Sequence, residues 1–172
     1  MNAKFYAATQ VMDEARHVEV YKRLIHDKFR MAYPISDSLK NLLEQTLSDR
    51  RWDMTYLGMQ VLIEGLALAA FQRIRDSAKN NLAAAVNAYV MQDEARHVTF
   101  GRMALRHYYP QISDAERNER EEFAVEALYF MRDRFNQTEV WMRSGLPVDK
   151  LAEYAFNSGV MQAFRTRLFT RV

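Results

Sequence analysis

A six-residue word occurs twice in this 172-residue chain, at residues 13–18 and again eighty positions later at residues 93–98. Both copies spell Asp-Glu-Ala-Arg-His-Val and therefore contain Glu-x-x-His. Residues three apart lie on one face of a helix, so each helical copy directs a carboxylate and an imidazole to the same side. A word of this length rarely repeats by chance, and the repeat indicates two similar helices in equivalent surroundings.

The repeated word has two interpretations. A surface helix stabilised by charge pairs such as Asp13 with Arg16 would explain a single copy. Two copies together favour a metal centre, because antiparallel helices that each carry Glu-x-x-His direct four ligands to one point in the core of a bundle.

The residues that share a helical face with these words predict that this face is buried. Around the first word they are Tyr6, Gln10, Val11, Tyr21, Leu24 and Ile25, and around the second Val86, Val90, Met91, Gly101 and Ala104. Charged groups on such a stripe are costly without partners, and a dication satisfies several carboxylates together. We therefore expect the words to face a buried cation.

A third acidic group lies in the most apolar stretch of the chain, residues 59–71, where Glu64 is the only ionised residue. A buried carboxylate needs a partner, and a salt bridge to a buried arginine is the alternative to a metal. Glu64 precedes Glu94 by thirty residues, the length of one helix and an ordinary loop. This spacing favours Glu64 as the bridging carboxylate from a neighbouring helix.

Together these motifs resemble the ferritin-like di-iron carboxylate superfamily, and within it the ribonucleotide-reductase-like oxidases and oxygenases, over residues 1 to 109. The resemblance implies an all-α fold, a ferritin-like antiparallel helix bundle with additional C-terminal helices. The metal ligands that it implies are Glu14, His17, Glu64, Glu94 and His97. Outer partners that orient these ligands are implied at Asp13, Arg16, Asp93 and Arg96, since ligating histidines usually donate their second ring N–H to a carboxylate.

The resemblance also implies a function, the activation of dioxygen by two iron ions, with manganese as an alternative metal, to oxidise an organic substrate. A small-molecule substrate and an external electron donor are the expected partners. Two alternatives stay open: a ferritin-like protein that oxidises and handles iron, and a metal-poor helical interaction module.

Three positions depart from the family pattern. A four-helix site takes one further glutamate, but thirty residues before Glu14 lies upstream of Met1, so we expect the N-terminal helix with the first glutamate to be missing from these residues. Leu68 stands one turn after Glu64, where some hydroxylases carry a hydroxyl group. The arylamine N-oxygenase branch is disfavoured, because its extra histidine before the last Glu-x-x-His would fall at Val90.

Composition fits one helical domain over residues 1–172. With 49% hydrophobic and 27% charged residues, only five Gly and three Pro interrupt the amphipathic pattern. Zero Cys excludes disulfides, zinc-thiolate sites and iron–sulfur clusters. The net charge of +2 and the lack of a signal pattern or of a long uncharged apolar run argue against nucleic acid and membrane partners. We expect a cytoplasmic protein, with a homodimer as one allowed assembly.

Capping residues and helix-breaking residues in the sequence predict where the helices begin and end. The expected boundaries are 2–31, then one helix or paired helices over 37–78 with a kink near 48–49, and then 80–108, 114–135, 138–144 and 147–167. Ser113 and Glu116 form the Ser-x-x-Glu pattern of a capping box before the fourth of these.

Overall fold

The computed structural model describes residues 3–136 and 138–169, and among them it contains helices and turns without a strand. The helices are α1 (Ala3–Arg23), α2 (Asp37–Ser48), α3 (Trp52–Tyr56), α4 (Glu64–Ser77), α5 (Asn81–Tyr108), α6 (Asp114–Asn136), α7 (Thr138–Arg143), α8 (Val148–Asn157) and α9 (Gly159–Phe169). The predicted all-α, ferritin-like bundle is thereby confirmed.

Two segments of π-helix extend these α-helices. Leu24–Phe29 continues α1, and Leu57–Ile63 joins α3 to α4 in one rod. At the end of the second segment, the backbone N–H of Glu64 donates to the carbonyl of Met59, five residues earlier. π-helical turns are rare and occur often at functional sites. The change of pitch therefore falls immediately before the isolated glutamate.

The helix starts follow the sequence signals. Ser36 accepts a hydrogen bond from the backbone N–H of Leu39 at 3.4 Å, and Asn80 accepts from two N–H groups in the first turn of α5. The capping box is formed in both directions: Ser113 N–H donates to Glu116 Oε2 at 2.8 Å, and Glu116 N–H donates to Ser113 Oγ at 3.3 Å. These bonds satisfy N–H groups that a helix leaves unpaired at its start.

Of the two alternatives for residues 37–78, the structure has the paired helices, and the expected helix 147–167 is interrupted. Asp49 takes extended backbone with ψ 130°, and its carboxylate accepts the N–H of Arg51 at 2.8 Å, so α2 ends and the rod begins afresh. A short polar side chain that bonds its own neighbouring backbone competes in this way with helix. The expected helix 147–167 breaks at Ser158, where ψ is 120° and glycine, a poor helix former, follows.

The apolar core lies where the rod of α3 and α4 packs between α2, α5 and α6. Its most deeply buried members are Leu42, Leu66 and Ala127, each 0% exposed. The rod Trp52–Ser77 is long and apolar enough to span a membrane by length and composition alone. In this protein the rod contributes Leu66 to the apolar core. The central helix of a helical bundle can be as long and as apolar as a helix that spans a membrane.

Two contacts fix the rod against its neighbours. A Cβ added at Gly101 on α5 would lie 2.6 Å from Cβ of Gln60, so the two helices approach as closely as only glycine permits. At the start of the rod, Arg120 of α6 donates from Nε to Oδ2 of Asp53 at 3.0 Å, and these residues are 3% and 1% exposed. The rod is therefore held both beside the repeated words and at its N-terminal end.

Candidate metal centre

All five predicted ligands converge from three helices. Glu14 and His17 lie on α1, Glu64 begins α4, and Glu94 and His97 lie on α5. One ligand atom each from Glu14, Glu64, Glu94 and His97 lies within 4.8 Å of the others. His17 joins them, since its Nδ1 is 3.2 Å from Glu94 Oε1. The fold thus gathers the two repeated words and the isolated glutamate in one place.

Both imidazoles present Nδ1 to the carboxylates. His97 Nδ1 lies 3.1 Å from Glu14 Oε1 and 3.4 Å from Glu94 Oε2. The same atom is 3.9 Å from Glu64 Oε2. His17 Nδ1 lies 3.5 Å from Glu14 Oε2, and the two ring centroids are 6.1 Å apart. Glu14 and Glu94 therefore stand between two imidazoles, with Glu64 beside His97.

Each of these residues has one buried polar atom without a partner in hydrogen-bond geometry. The atoms are Glu14 Oε1, His17 Nδ1, Glu64 Oε2, Glu94 Oε2 and His97 Nδ1. An unsatisfied buried polar group costs about 1–3 kcal/mol, so five in contact indicate a common missing partner. Divalent iron or manganese accepts carboxylate oxygens and imidazole nitrogens as ligands. The donor set therefore fits such a cation.

Without a cation, the carboxylates of the cluster repel one another. Burial and the nearby carboxylate of Glu94 raise the pKa of Glu64 to about 8. For His97 burial favours the neutral form, but the Glu14 and Glu94 carboxylates outweigh it and raise the pKa to about 10. The cluster thus holds protons between its carboxylates, and a bound cation takes the place of those protons.

In the repeated words, the hydrogen-bond partner of each histidine is the aspartate of the other word. His97 Nε2 lies 3.2 Å from Oδ2 of Asp13, and His17 Nε2 lies 3.1 Å from Oδ2 of Asp93. An ionised carboxylate only accepts, so each imidazole donates from Nε2 to an aspartate, and Nδ1 is the ring nitrogen that faces the cluster as the candidate ligand atom. The aspartate of each word thereby orients the histidine of the other word, an exchange that the sequence did not predict.

Arg16 and Arg96 hold these aspartates from the solvent side. Each guanidinium contacts the aspartate of its own word, and each also approaches the other aspartate, Arg96 to Asp13 at 3.4 Å and Arg16 to Asp93 at 3.7 Å. Burial raises the pKa of Asp93, but hydrogen bonds from His17 and Arg96 outweigh this and lower it. Arg96 and His17 therefore favour the ionised form of Asp93, in which it accepts hydrogen bonds.

Two glutamines at the site were missed as functional residues. Gln10 Nε2 donates to Glu64 Oε1 at 3.3 Å, and Gln60 Nε2 donates to Gln10 Oε1 at 3.5 Å. Each glutamine stands four residues, one helical turn, before a predicted ligand, Glu14 or Glu64. That shared spacing is the signal in the sequence. The glutamines orient Glu64 so that its second oxygen faces the cluster.

The predicted buried face of α1 is wrong at one position. Val11 is 68% exposed, although His17 on α1 and Leu24 in the π-helical segment that continues it are each 6% exposed. Among the described residues α1 meets α5 on one side, and the face that carries Val11 turns away from it. The side chain of Glu14, at the edge of that face, is 45% exposed.

A helical bundle with this cluster of carboxylates and imidazoles defines the class of ferritin-like di-iron proteins. The family model described as p-aminobenzoate N-oxygenase AurF matches residues 2–172. The chain therefore belongs to this family of di-iron, ferritin-like oxygenases. No curated protein and no solved structure matches it.

The family match corrects the inference against the arylamine N-oxygenase branch. Val90 does occupy the position where that branch was expected to carry a histidine, and it is 4% exposed in an apolar setting. The match nevertheless extends over residues 2–172, including the region after residue 109 that showed no motif. One substituted position was weaker evidence than the pattern of the entire chain.

The exchanged aspartates make a testable prediction. Replacing Asp13 by asparagine removes the carboxylate that fixes His97 and is expected to weaken metal binding about 10–100-fold. In NMR spectra the ring signals of His97 should shift more than those of His17, and Asp93→Asn should give the reverse. If each substitution perturbed the histidine of its own word instead, the crossed arrangement would be wrong.

Proposed function

We propose that this chain is a di-iron oxygenase that transfers oxygen to the nitrogen of an aromatic amine. The observation that carries the proposal is the group of five buried, unpartnered ligand atoms on three helices. Membership of the AurF family supports oxygenase activity, and the family description supports an aromatic amine as substrate class.

The residues that would hold the two ions are Glu14, His17, Glu64, Glu94 and His97. Two bound iron ions would supply the electrons that activate dioxygen. The chain itself holds Nε2 of each histidine with the crossed aspartates, so that Nδ1 faces the cluster, and it orients Glu64 through Gln10. Deep burial of His97, which is 1% exposed, restricts water on the α5 side of the site.

The proposal is tested with the full-length protein loaded anaerobically with ferrous iron. We expect about two ions per chain, and dioxygen consumption coupled to N-oxygenated product when p-aminobenzoate or a related arylamine is added with a reductant. Mass spectrometry with labelled dioxygen should place the label in the product. Consumption of dioxygen with ferric iron as the sole product across a panel of arylamines would contradict this function and favour iron handling.

A further inference from the structure

Six aromatic side chains form a line of neighbouring rings that begins beside the candidate metal centre. The distances between centroids are 3.9 Å for Tyr6–Phe100, 5.7 Å for Phe100–Tyr56, 5.2 Å for Tyr56–Trp52, 4.8 Å for Trp52–Tyr108 and 6.3 Å for Tyr108–Tyr109. Rings in direct contact have centroids up to about 7 Å apart, so each ring touches the next.

The inner end of this line lies on the two helices that carry the repeated words. Phe100 follows His97 by three residues on α5, and Tyr6 precedes Gln10, the hydrogen-bond donor to Glu64, by four residues on α1. Burial raises the pKa of the Tyr6 hydroxyl, and the charge of Glu64 adds to that effect. Tyr6 therefore lies within the electrostatic reach of the cluster.

The outer end of the line lies at the protein surface. The side chain of Trp52 is 45% exposed at the start of the rod. Tyr109 lines a surface pocket together with Arg106 and Arg117. Tyrosine and tryptophan lose an electron far more readily than phenylalanine, so Tyr56, Trp52 and Tyr108 are adjacent oxidisable groups, and Phe100 is a contact between Tyr6 and Tyr56.

We propose that Tyr56 and Trp52 form an electron-transfer path, with Tyr6 towards the metal centre and Tyr108 towards the surface. The inference rests on the proposed function, which supplies the oxidised centre. In the step that we envisage, Tyr56 would give one electron to the oxidised centre by way of Tyr6 and release its phenolic proton to water. Trp52 would then give an electron to Tyr56, which takes a proton back from water.

A one-electron reductant such as ascorbate then reduces Trp52. The net result is one electron moved from ascorbate to the centre, with every side chain restored. Without reductant the electron vacancy exchanges between Trp52 and the adjacent tyrosines, and reaction of the Trp52 indole with dioxygen traps it as oxygenated products. Ordinary aromatic packing, the competing explanation, predicts no such preference for Trp52.

The first experiment uses the metal-free protein. The chain has two tryptophans, so Trp141→Phe leaves Trp52 as the only indole. Azide radicals produced by pulse radiolysis oxidise that indole, and loss of its radical absorption with a matching rise of the tyrosyl band measures internal transfer. We expect transfer to slow by an order of magnitude when Tyr56 and Tyr108 are both replaced by phenylalanine. The matched control is Tyr89→Phe, at a tyrosine 71% exposed outside the line.

The second experiment links the path to the metal. Iron-loaded protein is exposed to dioxygen without substrate or reductant, and peptide mass analysis measures oxygen addition at Trp52 and at Trp141. We expect Trp52 to be modified several-fold more, and Tyr56→Phe to remove that excess. Tyr89→Phe is again the matched control, because Tyr89 lies outside the line of rings and its replacement should leave the excess unchanged. Ascorbate should suppress the modification of Trp52 both in the wild-type chain and in the control variant.

Each outcome decides the proposal. Unchanged transfer in the metal-free double variant, or equal Trp52 modification in Tyr56→Phe and the wild-type chain, would overturn the path while iron binding and dioxygen consumption stand. Failure to bind iron or consume dioxygen would contradict the proposed function and the role of the path with it. Phenylalanine retains each ring, and circular dichroism verifies the fold of every variant.

Discussion

Replacing Glu64 by leucine is expected to reduce metal binding from about two ions per chain to one or none. Glu64 is the contribution of α4 to a cluster whose other members come from α1 and α5, and its free oxygen lies 3.9 Å from His97 Nδ1. Removing an outer partner of a ligand weakens affinity about 10–100-fold, and loss of the carboxylate itself should exceed that. Titration with ferrous iron followed by metal analysis measures the effect.

The same substitution should have the opposite effect on the metal-free chain. Glu64 Oε2 is buried without a hydrogen-bond partner, so its removal is expected to increase the free energy of unfolding by about 1 kcal/mol. Urea denaturation in the presence of a chelator tests this. Glu44→Leu is the control, because that side chain is 66% exposed beside Lys40 and should change neither quantity appreciably. Two ions bound by the Glu64 variant would contradict its role as a ligand.

A substitution that weakens metal binding but raises the free energy of unfolding distinguishes a functional residue from a structural one. A carboxylate retained for stability would lower the free energy of unfolding when it is removed. A carboxylate retained for metal binding makes the metal-free chain less stable than an apolar substitute would. The pKa of about 8 at Glu64 reflects this cost, because burial and the neighbouring carboxylate of Glu94 both disfavour the ionised form.

Helical periodicity and the repeated word were sufficient to predict which residues meet. In a helix, the spacing between Glu14 and His17 determines that both lie on one face, and an isolated charge such as Glu64 in an apolar run requires a polar partner. Both arguments are local, and local geometry is what sequence patterns record. The metal role of these residues stays a prediction, although their convergence is now seen.

The relations between helices were not predictable in the same way. The exchange by which Asp13 serves His97 depends on how α1 crosses α5, which no spacing within one word specifies. The π-helical segment before Glu64 shifts that residue around the rod, and its sequence is as apolar as that of an ordinary helix. The exposure of Val11 likewise depends on which sides of α1 its neighbours cover.

Replacing Arg120 by methionine is expected to lower the free energy of unfolding by about 3–5 kcal/mol. Arg120 is 3% exposed and donates from Nε to Asp53, which is 1% exposed at the start of the rod. Methionine fills similar space but leaves a buried carboxylate without its partner. The effect is measured by urea denaturation of the metal-free protein, where changes in metal binding play no part.

Removing both charges of this pair should restore the free energy of unfolding that Arg120→Met loses. In Asp53→Leu with Arg120→Met no buried charge is left unpaired, and replacement of a buried pair by apolar groups is often neutral or stabilising by about 1–4 kcal/mol. Arg51→Ala is the exposed control; it breaks ion pairs with Asp49 and Glu119 at a side chain 42% exposed and should cost about 1 kcal/mol or less. A double variant as unstable as Arg120→Met alone would show that Arg120 stabilises the rod through its other bonds, to the carbonyl of Glu116 and to Glu119, rather than through Asp53.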